Sequence, residues 1–283
     1  MFKRVLGKKI KAMQGFKNIF SFYINASFHV ALAVVCLTDI TIQEFDIPRN
    51  HKLLLFIFLA TITGYNFVKY AGIVNLHHLS QAKNLRQIQI SSFIAFAGLV
   101  FLAFFQSVSV LLLSGILGLF TLSYALPLFG NNTNLRGLTG LKIFVIAFVW
   151  AGVTVLLPLA DQINLLNWDV IVVFLQRFFL VLALILPFEI RDLQFDIAKL
   201  GTIPQKFGVG GTRIVGLVLV SIFVLLEFFK HQTSRANTIS LIFVAILLII
   251  LIRYSTISQS KYYESFWVES VPILWWFLFM LLL

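Results

Sequence analysis

Long apolar runs alternate with short polar stretches along almost the whole chain. Nine of these runs approach the length of about 20 residues that a helix needs to cross the hydrocarbon core of a bilayer. They cover residues 20–38, 52–73, 89–106, 109–127, 141–160, 168–187, 211–229, 237–253 and 266–283. Only residues 106–109 separate the third run from the fourth, so we expect a tight hairpin there. Because the runs are too long for barrel strands, the pattern predicts an all-α, polytopic membrane protein of about nine transmembrane helices.

The composition supports the same class of protein. The chain has 283 residues, of which 60% are hydrophobic and 12% charged, and its mean hydropathy is +0.96. A water-soluble domain carries about 25% charged residues. No polar region is long enough for a separate soluble domain. We therefore predict one integral membrane domain over residues 1–283, with a basic cytoplasmic arm at 1–19 and a polar cytoplasmic loop at 188–210.

The net charge of +11 is distributed unevenly between the loops. Basic residues concentrate in the N-terminal arm and in alternate loops, namely 74–88, 128–140, 188–210 and 254–265. The intervening loops hold most of the remaining acids, which are Asp39, Glu44, Asp46, Asp161 and Asp169. This asymmetry predicts a bacterial inner-membrane protein with a cytoplasmic N-terminus and its C-terminus on the opposite side. We expect the positive charge to meet anionic membrane lipid rather than nucleic acid.

Three acids, Glu189, Asp192 and Asp196, follow the sixth apolar run. Residues spaced three and four apart share one face of a helix. Carboxylates near a bilayer need partners, and Mg²⁺ prefers one or two carboxylates together with waters and substrate phosphates. The pattern therefore indicates a magnesium site. The alternative is a solvated loop in which Arg191 and Lys199 neutralise the acids.

The same segment resembles the second aspartate motif of the UbiA superfamily of intramembrane prenyltransferases. In that motif D-x-x-x-D is followed by a loop of the form G-x-x-T-x-P-x-x-x-G. The chain has acids at Asp192 and Asp196, and then Gly201, Thr202, Pro204 and Gly208 at compatible places. Tyr124 and Pro127 resemble the Y-x-x-P loop of the family, and residues 150–158 resemble the helix that follows it. The resemblance predicts a UbiA-like helical bundle around a central cavity.

The first aspartate motif of the family, N-D-x-x-D-x-x-x-D at the end of the second helix, is not preserved. Its best match is residues 66–74, where Asn66 is retained but Phe67, Tyr70 and Val74 stand at the aspartate places. No acid occurs between Asp46 and Asp161, so no neighbouring carboxylate can substitute.

The resemblance implies transfer of a prenyl group from an isoprenyl diphosphate to a lipophilic, usually aromatic acceptor. Mg²⁺ held by the two motifs neutralises the leaving diphosphate. Here the resemblance implies that Asp192 and Asp196 are catalytic residues and that they bind Mg²⁺ together with Glu189. It also implies that this chain binds fewer Mg²⁺ ions than typical family members. Lys69 is the third predicted catalytic residue. With His77 or His78 it would neutralise the diphosphate directly, in place of the missing first aspartate motif. The alternative is that the Lys69 side chain extends to the lipid headgroups. The predicted substrate contacts are Asn66, Tyr70, Tyr124, Arg191, Lys199 and Lys206.

Two other functions stay open at this point. A non-catalytic relative would bind an isoprenoid or quinone-type lipid, and the missing first motif favours this reading. A secondary transporter would need charges at the middle of the membrane, and only Arg177 fits that requirement. Arg177 could pair with an acid or a substrate anion, hydrogen-bond the carbonyls of a broken helix, or face a cavity for a lipid substrate. Of these we expect a structural role.

Overall fold

The structure is a computed structural model that describes residues 14–15, 17–70, 85–125, 140–195 and 201–283. Every regular element within these residues is helical, which confirms the all-α prediction. The helices are α1 (Lys17–Asn25), α2 (Phe28–Glu44), α3 (His51–Tyr70), α4 (Leu85–Ala103), α5 (Val108–Ala125), α6 (Lys142–Leu159), α7 (Trp168–Asp192), α8 (Ile203–Leu225), α9 (Arg235–Tyr254) and α10 (Val271–Leu282). A 3₁₀ turn, Leu226–Phe229, extends α8, and a π-helical turn, Tyr263–Val268, precedes α10.

Within the described residues, 7 helices are long and apolar enough to cross a membrane, so the chain is an integral membrane protein. They are α3, α4, α6, α7, α8, α9 and the combination of the π turn with α10. Helices α1 and α2 reach that length only together and are bent by 57°. The apolar part of α5 is shorter. A helix lies in each predicted apolar run within the described residues, but the number of nine crossings stays a prediction.

From α5 to α10 each helix packs against the next one in the chain, and α10 returns to α2, the first long helix. Contacts run from α2 to α3, from α3 to α5, and then in order from α5 through α10 back to α2. Helix α4 packs outside this ring against α3. The ring also brings the ends of α3 and α7 to one end of the bundle, which we call the site end.

Side-chain caps explain where several helices begin. The side chain of Asn167 accepts a hydrogen bond from Asp169 N at 2.9 Å at the start of α7. The Ser234 hydroxyl accepts one from Asn237 N at 3.0 Å at the start of α9. Such caps satisfy backbone donors that have no partner within the helix. At the other end of α7, Arg191 lies in the last turn, where a cation is favoured by the helix dipole.

Two boundaries differ from the predictions. The first run is not continuous over 20–38, because Ser27 adopts φ 65 and interrupts the helix between α1 and α2. Helix α7 continues to Asp192 and α8 begins at Ile203, so the polar connection is shorter than the predicted loop 188–210. The helix can extend because the charge of Glu189 is compensated by Lys142 of α6, 2.6 Å away.

Glycines shape the entry to α8. Gly201 has φ 58 directly before the first turn, and Gly208 has φ 66 and kinks the helix after that turn. These left-handed conformations favour glycine because it has no Cβ. A Cβ on Gly140, which has φ 75, would lie 3.6 Å from the carbonyl oxygen of Gly201. The start of α6 is thereby held beside the connection between α7 and α8.

Candidate functional site

The break at Ser27 is held by polar side chains from the end of α3. Ser27 Oγ donates a hydrogen bond to Asn66 Oδ1 at 2.8 Å. Asn66 Nδ2 donates to Ser92 Oγ at 2.8 Å and to the backbone carbonyl preceding Ser27 at 3.1 Å. The Tyr70 hydroxyl donates to the carbonyl of Asn25 at 3.1 Å. Two of the predicted substrate contacts, Asn66 and Tyr70, thus bind the protein's own backbone.

Lys69 lies at the same place and is also close to Tyr65 of its own helix. Its Nζ atom donates to Ser27 Oγ at 3.1 Å and lies 6.0 Å from the centre of the Tyr65 ring. The Tyr65 hydroxyl in turn accepts a hydrogen bond from Trp150 Nε1 at 2.7 Å. The side chain of Lys69 is only partly buried.

The acids of the predicted second motif are paired with protein cations. Glu189 is 2% exposed and its carboxylate lies 2.6 Å from Lys142 Nζ. Arg191 donates from Nε and Nη2 to Asp192 Oδ1 at 2.9 and 2.7 Å. The third guanidinium nitrogen of Arg191 donates to Glu264 of the π turn. Two carboxylates from α7 therefore engage two different cations instead of facing a common point.

We tested whether these residues fit the magnesium ion that the resemblance implies. No group of three or more His, Cys, Asp or Glu side chains within the described ranges is placed to hold a metal ion. Glu189 and Asp192 are occupied by Lys142 and Arg191, as described above. The described carboxylates therefore do not fit such an ion, and Asp196 lies outside the described residues.

The structure adds two acids that the sequence reasoning missed, Glu264 and Glu269 at the start of the last helix. Gln259 Nε2 donates to Glu264 Oε2 at 3.0 Å, on the side away from Arg191. Glu269 interacts electrostatically with Lys69, Glu264 and Arg191. The available signal was an acid within the ninth apolar run, since ionisable residues inside membrane helices often mark functional sites.

Glu269 and Lys69 form a separated pair of opposite charges. Among the described residues, no side chain hydrogen-bonds the Glu269 carboxylate, and no cation makes a direct ion pair with it. Like Lys69, Glu269 is only partly buried.

The remaining predicted site residues are not brought into this arrangement. Lys206 lies on the first turn of α8 and is exposed. Tyr124 is on α5, and its side chain lies outside the described part of the chain. Asp196, Lys199, His77 and His78 also lie outside the described residues.

Arg177 belongs to the opposite end of the bundle. It is 2% exposed, and its guanidinium lies 4.8 Å from the centre of the Trp275 ring. Its Nη2 atom is 3.4 Å from Thr41 Oγ1, and its Nε and Nη1 atoms have no hydrogen-bond partner among the described residues. The negative charge of Glu44 interacts electrostatically with Arg177. Among the described residues Arg177 therefore makes no direct pair with an acid or a backbone carbonyl, and its structural role stays a prediction.

Lys230 is the centre of the charge network at that opposite end. Its Nζ atom pairs with Glu44 and, at 2.6 Å, with Glu227. Asn237 Nδ2 donates to both acids, at 3.0 Å in each case. Gln176 Nε2 donates to Glu227 at 3.0 Å. The network joins α2, α7, the end of α8 and α9.

Comparison with known proteins identifies the fold. No protein-family model matches the sequence, and no curated protein matches it. Among solved structures, the apo structure of a UbiA homologue from Aeropyrum pernix K1 has a TM-score of 0.64 at 16% identity, covering 90% of this chain and 97% of that one. A structure described as digeranylgeranylglyceryl phosphate synthase in membranes has a TM-score of 0.59 at 14% identity, covering 94% and 98%.

These similarities extend over nearly the whole of both chains, so the protein is an integral membrane protein with an all-helical bundle of the UbiA type. The predicted UbiA-like fold is therefore confirmed.

Proposed function

We propose that the chain is a UbiA-type prenyltransferase. It binds an isoprenyl diphosphate at the site end, on the cytoplasmic side of a bacterial inner membrane, and transfers the prenyl group to a lipophilic, aromatic acceptor. The UbiA fold supports the reaction class. The observation that carries the proposal is the position of Lys69, which is only partly buried at the end of α3 and lies in the electrostatic field of Arg191. The ends of α3 and α7, which carry the two motifs in the resemblance, thus converge here.

The proposed chemistry is neutralisation of the leaving diphosphate by protein cations. When the C–O bond of an isoprenyl diphosphate breaks, its electron pair stays on the diphosphate, and nearby positive charge stabilises that state. Lys69 lies where the resemblance places an acidic motif, and Arg191 lies beside Asp192. We assign the direct contacts with diphosphate to these two cations, with Lys199 and Lys206 as additional contacts. No step is assigned to a metal ion, because the described carboxylates do not fit one.

Diphosphate release tests this proposal. The full chain, purified in lipid nanodiscs, is incubated with geranyl, farnesyl and geranylgeranyl diphosphate and with a membrane lipid extract as the acceptor source. We expect release with at least one chain length, and its loss in Lys69→Ala. The matched control is Lys52→Ala, which removes an exposed lysine from the opposite end of the same helix. Release that is equal in both variants, or absent from wild type with every diphosphate, contradicts the proposal.

A second function, non-catalytic binding of an isoprenoid or quinone-type lipid, is favoured by one specific observation. Arg191 is engaged by Asp192 and Glu264, and Lys142 by Glu189, so much of the described positive charge is already compensated. A binding protein of this kind would take up farnesol as well as farnesyl thiodiphosphate. The enzyme would prefer the thiodiphosphate, and Lys69→Ala would remove that preference.

A further inference from the structure

A recess opens at the end of the bundle opposite the site end. The connection between α2 and α3, the hairpin between α4 and α5, and the end of α6 form its walls, and its volume is about 220 Å³. The buried side chains in its lining are apolar, namely Ile42, Leu53, Val110, Leu157 and Pro158. The polar side chains in its lining are more exposed, namely Asn50, Gln106, Ser107, Asp161 and Gln162. The recess thus has an apolar floor and a polar rim.

Asp161 is the only ionisable side chain among the described residues that line the recess. Ser107 Oγ donates a hydrogen bond to its Oδ2 atom, and no cation of the described residues pairs with it. Lys52 lies over the Phe105 ring, 4.5 Å from its centre, but it neither lines the recess nor pairs with Asp161. A carboxylate next to a bilayer needs a positive partner. The rim therefore favours a ligand that carries a cation.

A primary ammonium fits this rim better than a quaternary one. Gln106 Nε2 donates to the Leu102 carbonyl at 3.2 Å, which leaves the side-chain oxygen of Gln106 as an acceptor. The side-chain oxygen of Gln162 and Oδ1 of Asp161 also accept no hydrogen bond from the described residues. A primary ammonium has three N–H donors for these three acceptors. A quaternary ammonium has none and would leave the acceptors unused.

The surroundings of the recess indicate that the ammonium belongs to a lipid. The hairpin that forms one wall carries apolar side chains on the outside of the bundle, where Phe104 is 83% and Val108 72% exposed. In a membrane such surfaces are covered by acyl chains. An ammonium in the recess and acyl chains against the hairpin can belong to one molecule. Among phospholipids, the ethanolamine headgroup carries a primary ammonium.

We propose that the recess binds the headgroup of an ethanolamine phospholipid, with the lipid ammonium on Asp161. The inference goes beyond the proposed function, since it concerns the other end of the bundle and assigns no reaction. Because the walls come from three connections that are distant in the sequence, the bound lipid holds the hairpin of α4 and α5 against the ring. The selective contact is an ion pair with hydrogen bonds, made at the edge of the membrane.

Competition between lipids with equal acyl chains tests the proposal. The full chain is purified in detergent and equilibrated with equimolar dioleoyl phosphatidylethanolamine and dioleoyl phosphatidylcholine, and the first bound lipid is identified by native mass spectrometry. We expect wild type to prefer the ethanolamine lipid about fivefold, as one exposed ion pair allows. Asp161→Asn should lower this ratio to less than about twofold. Asp161→Lys should bind the anionic dioleoyl phosphatidylglycerol in preference to both.

Asp46→Asn is the matched control, since it neutralises an exposed acid at the same end of the bundle that does not line the recess. It should keep the wild-type ratio. Equal binding of the two lipids by wild type overturns the inference, as does an unchanged ratio in Asp161→Asn. A further arm adds soluble glycerophosphoethanolamine at the concentration of the lipid. Retention of the bound lipid supports the inference, whereas its displacement shows a site for a soluble amine and overturns the assignment to a membrane lipid.

Discussion

Ser27 and Asn66 join the break in the first membrane segment to the end of α3 through a hydrogen bond of 2.8 Å. The same Ser27 oxygen accepts a hydrogen bond from Lys69 at 3.1 Å. The asparagine retained from the family motif is thus used to hold the backbone of α1 and α2, and it does so one turn away from the lysine proposed to bind diphosphate. The position of that lysine depends on the geometry of the break.

Replacing Asn66 should therefore destabilise the protein. Asn66→Leu removes the partner of Ser27 and leaves the Ser92 hydroxyl and a backbone carbonyl without their donor. Buried polar groups left without partners cost about 1–3 kcal/mol each in the free energy of unfolding. Thermal unfolding in detergent should show a clearly lower Tm. Asn164→Ala, which changes an exposed loop residue, is the control and should leave the Tm nearly unchanged.

The ion pair between Lys142 and Glu189 allows a double-mutant test. Glu189 is 2% exposed and the side chain of Lys142 19% exposed, so removal of one partner leaves a largely buried charge. We expect Glu189→Leu or Lys142→Met alone to cost on the order of 3 kcal/mol, and the double variant to be close to wild type. The measurement is chemical unfolding of the four proteins. Additive losses in the double variant would show that the two side chains do not compensate each other.

The fold was largely predictable because it follows from hydrophobic length. A helix formed in each predicted apolar run within the described residues, and the connection between α4 and α5 covers only residues 104–107. The break at Ser27 was not predictable, since no glycine or proline marks it; it is imposed by tertiary hydrogen bonds from Asn66 and Lys69. The length of α7 was also underestimated. The sequence shows the charge of Glu189, but not that Lys142 comes from α6 to compensate it.

The site was predictable only in part, for a similar reason. Lys69 and Asp192 could be proposed as site residues from the spacing of a motif, which is local in sequence, and their roles stay predictions. Glu264 and Glu269 were missed because their importance arises from the return of α10 to α2, a contact between the two ends of the chain. Motif spacing also does not reveal pairing, so the acids expected to face a metal ion were found beside Lys142 and Arg191.

Replacement of Lys230 and replacement of Arg177, the two buried cations far from the site end, should have very different effects on the free energy of unfolding. Lys230→Met leaves Glu44 and Glu227 without their ammonium partner and should cost on the order of 3–5 kcal/mol. Arg177→Met removes two nitrogens that have no partner among the described residues and keeps an apolar contact with Trp275, so it should cost about 1 kcal/mol or less. Chemical unfolding of both variants checks this order. A larger loss in Arg177→Met would mean that the guanidinium has a stronger partner than Thr41.

A close helix contact at Gly152 gives a further stability prediction. A Cβ at this position would lie 2.6 Å from Cδ2 of Leu117 on α5, whereas a Cβ at Gly118 would meet no atom within 4 Å. Gly152→Ala should therefore force the two helices apart and cost about 1–3 kcal/mol. Gly118→Ala should be neutral or slightly stabilising, because it only restricts the unfolded chain. Equal Tm values for the two variants would show that Leu117 can move aside freely.

Replacement of Asp192 distinguishes two ways of binding diphosphate, through protein cations or through a carboxylate-bound Mg²⁺. Its carboxylate receives two hydrogen bonds from Arg191, so it competes with a diphosphate for that guanidinium. If protein cations hold the ligand, Asp192→Asn should bind farnesyl thiodiphosphate more tightly in EDTA, by up to about tenfold for a gain of about 1.4 kcal/mol. Arg191→Ala should bind it more weakly. If a carboxylate-bound Mg²⁺ holds the ligand instead, wild-type binding disappears in EDTA and Asp192→Asn binds more weakly with Mg²⁺ present. Binding isotherms of the three proteins with and without Mg²⁺ distinguish these patterns, because the sign of the Asp192→Asn effect is opposite in the two cases.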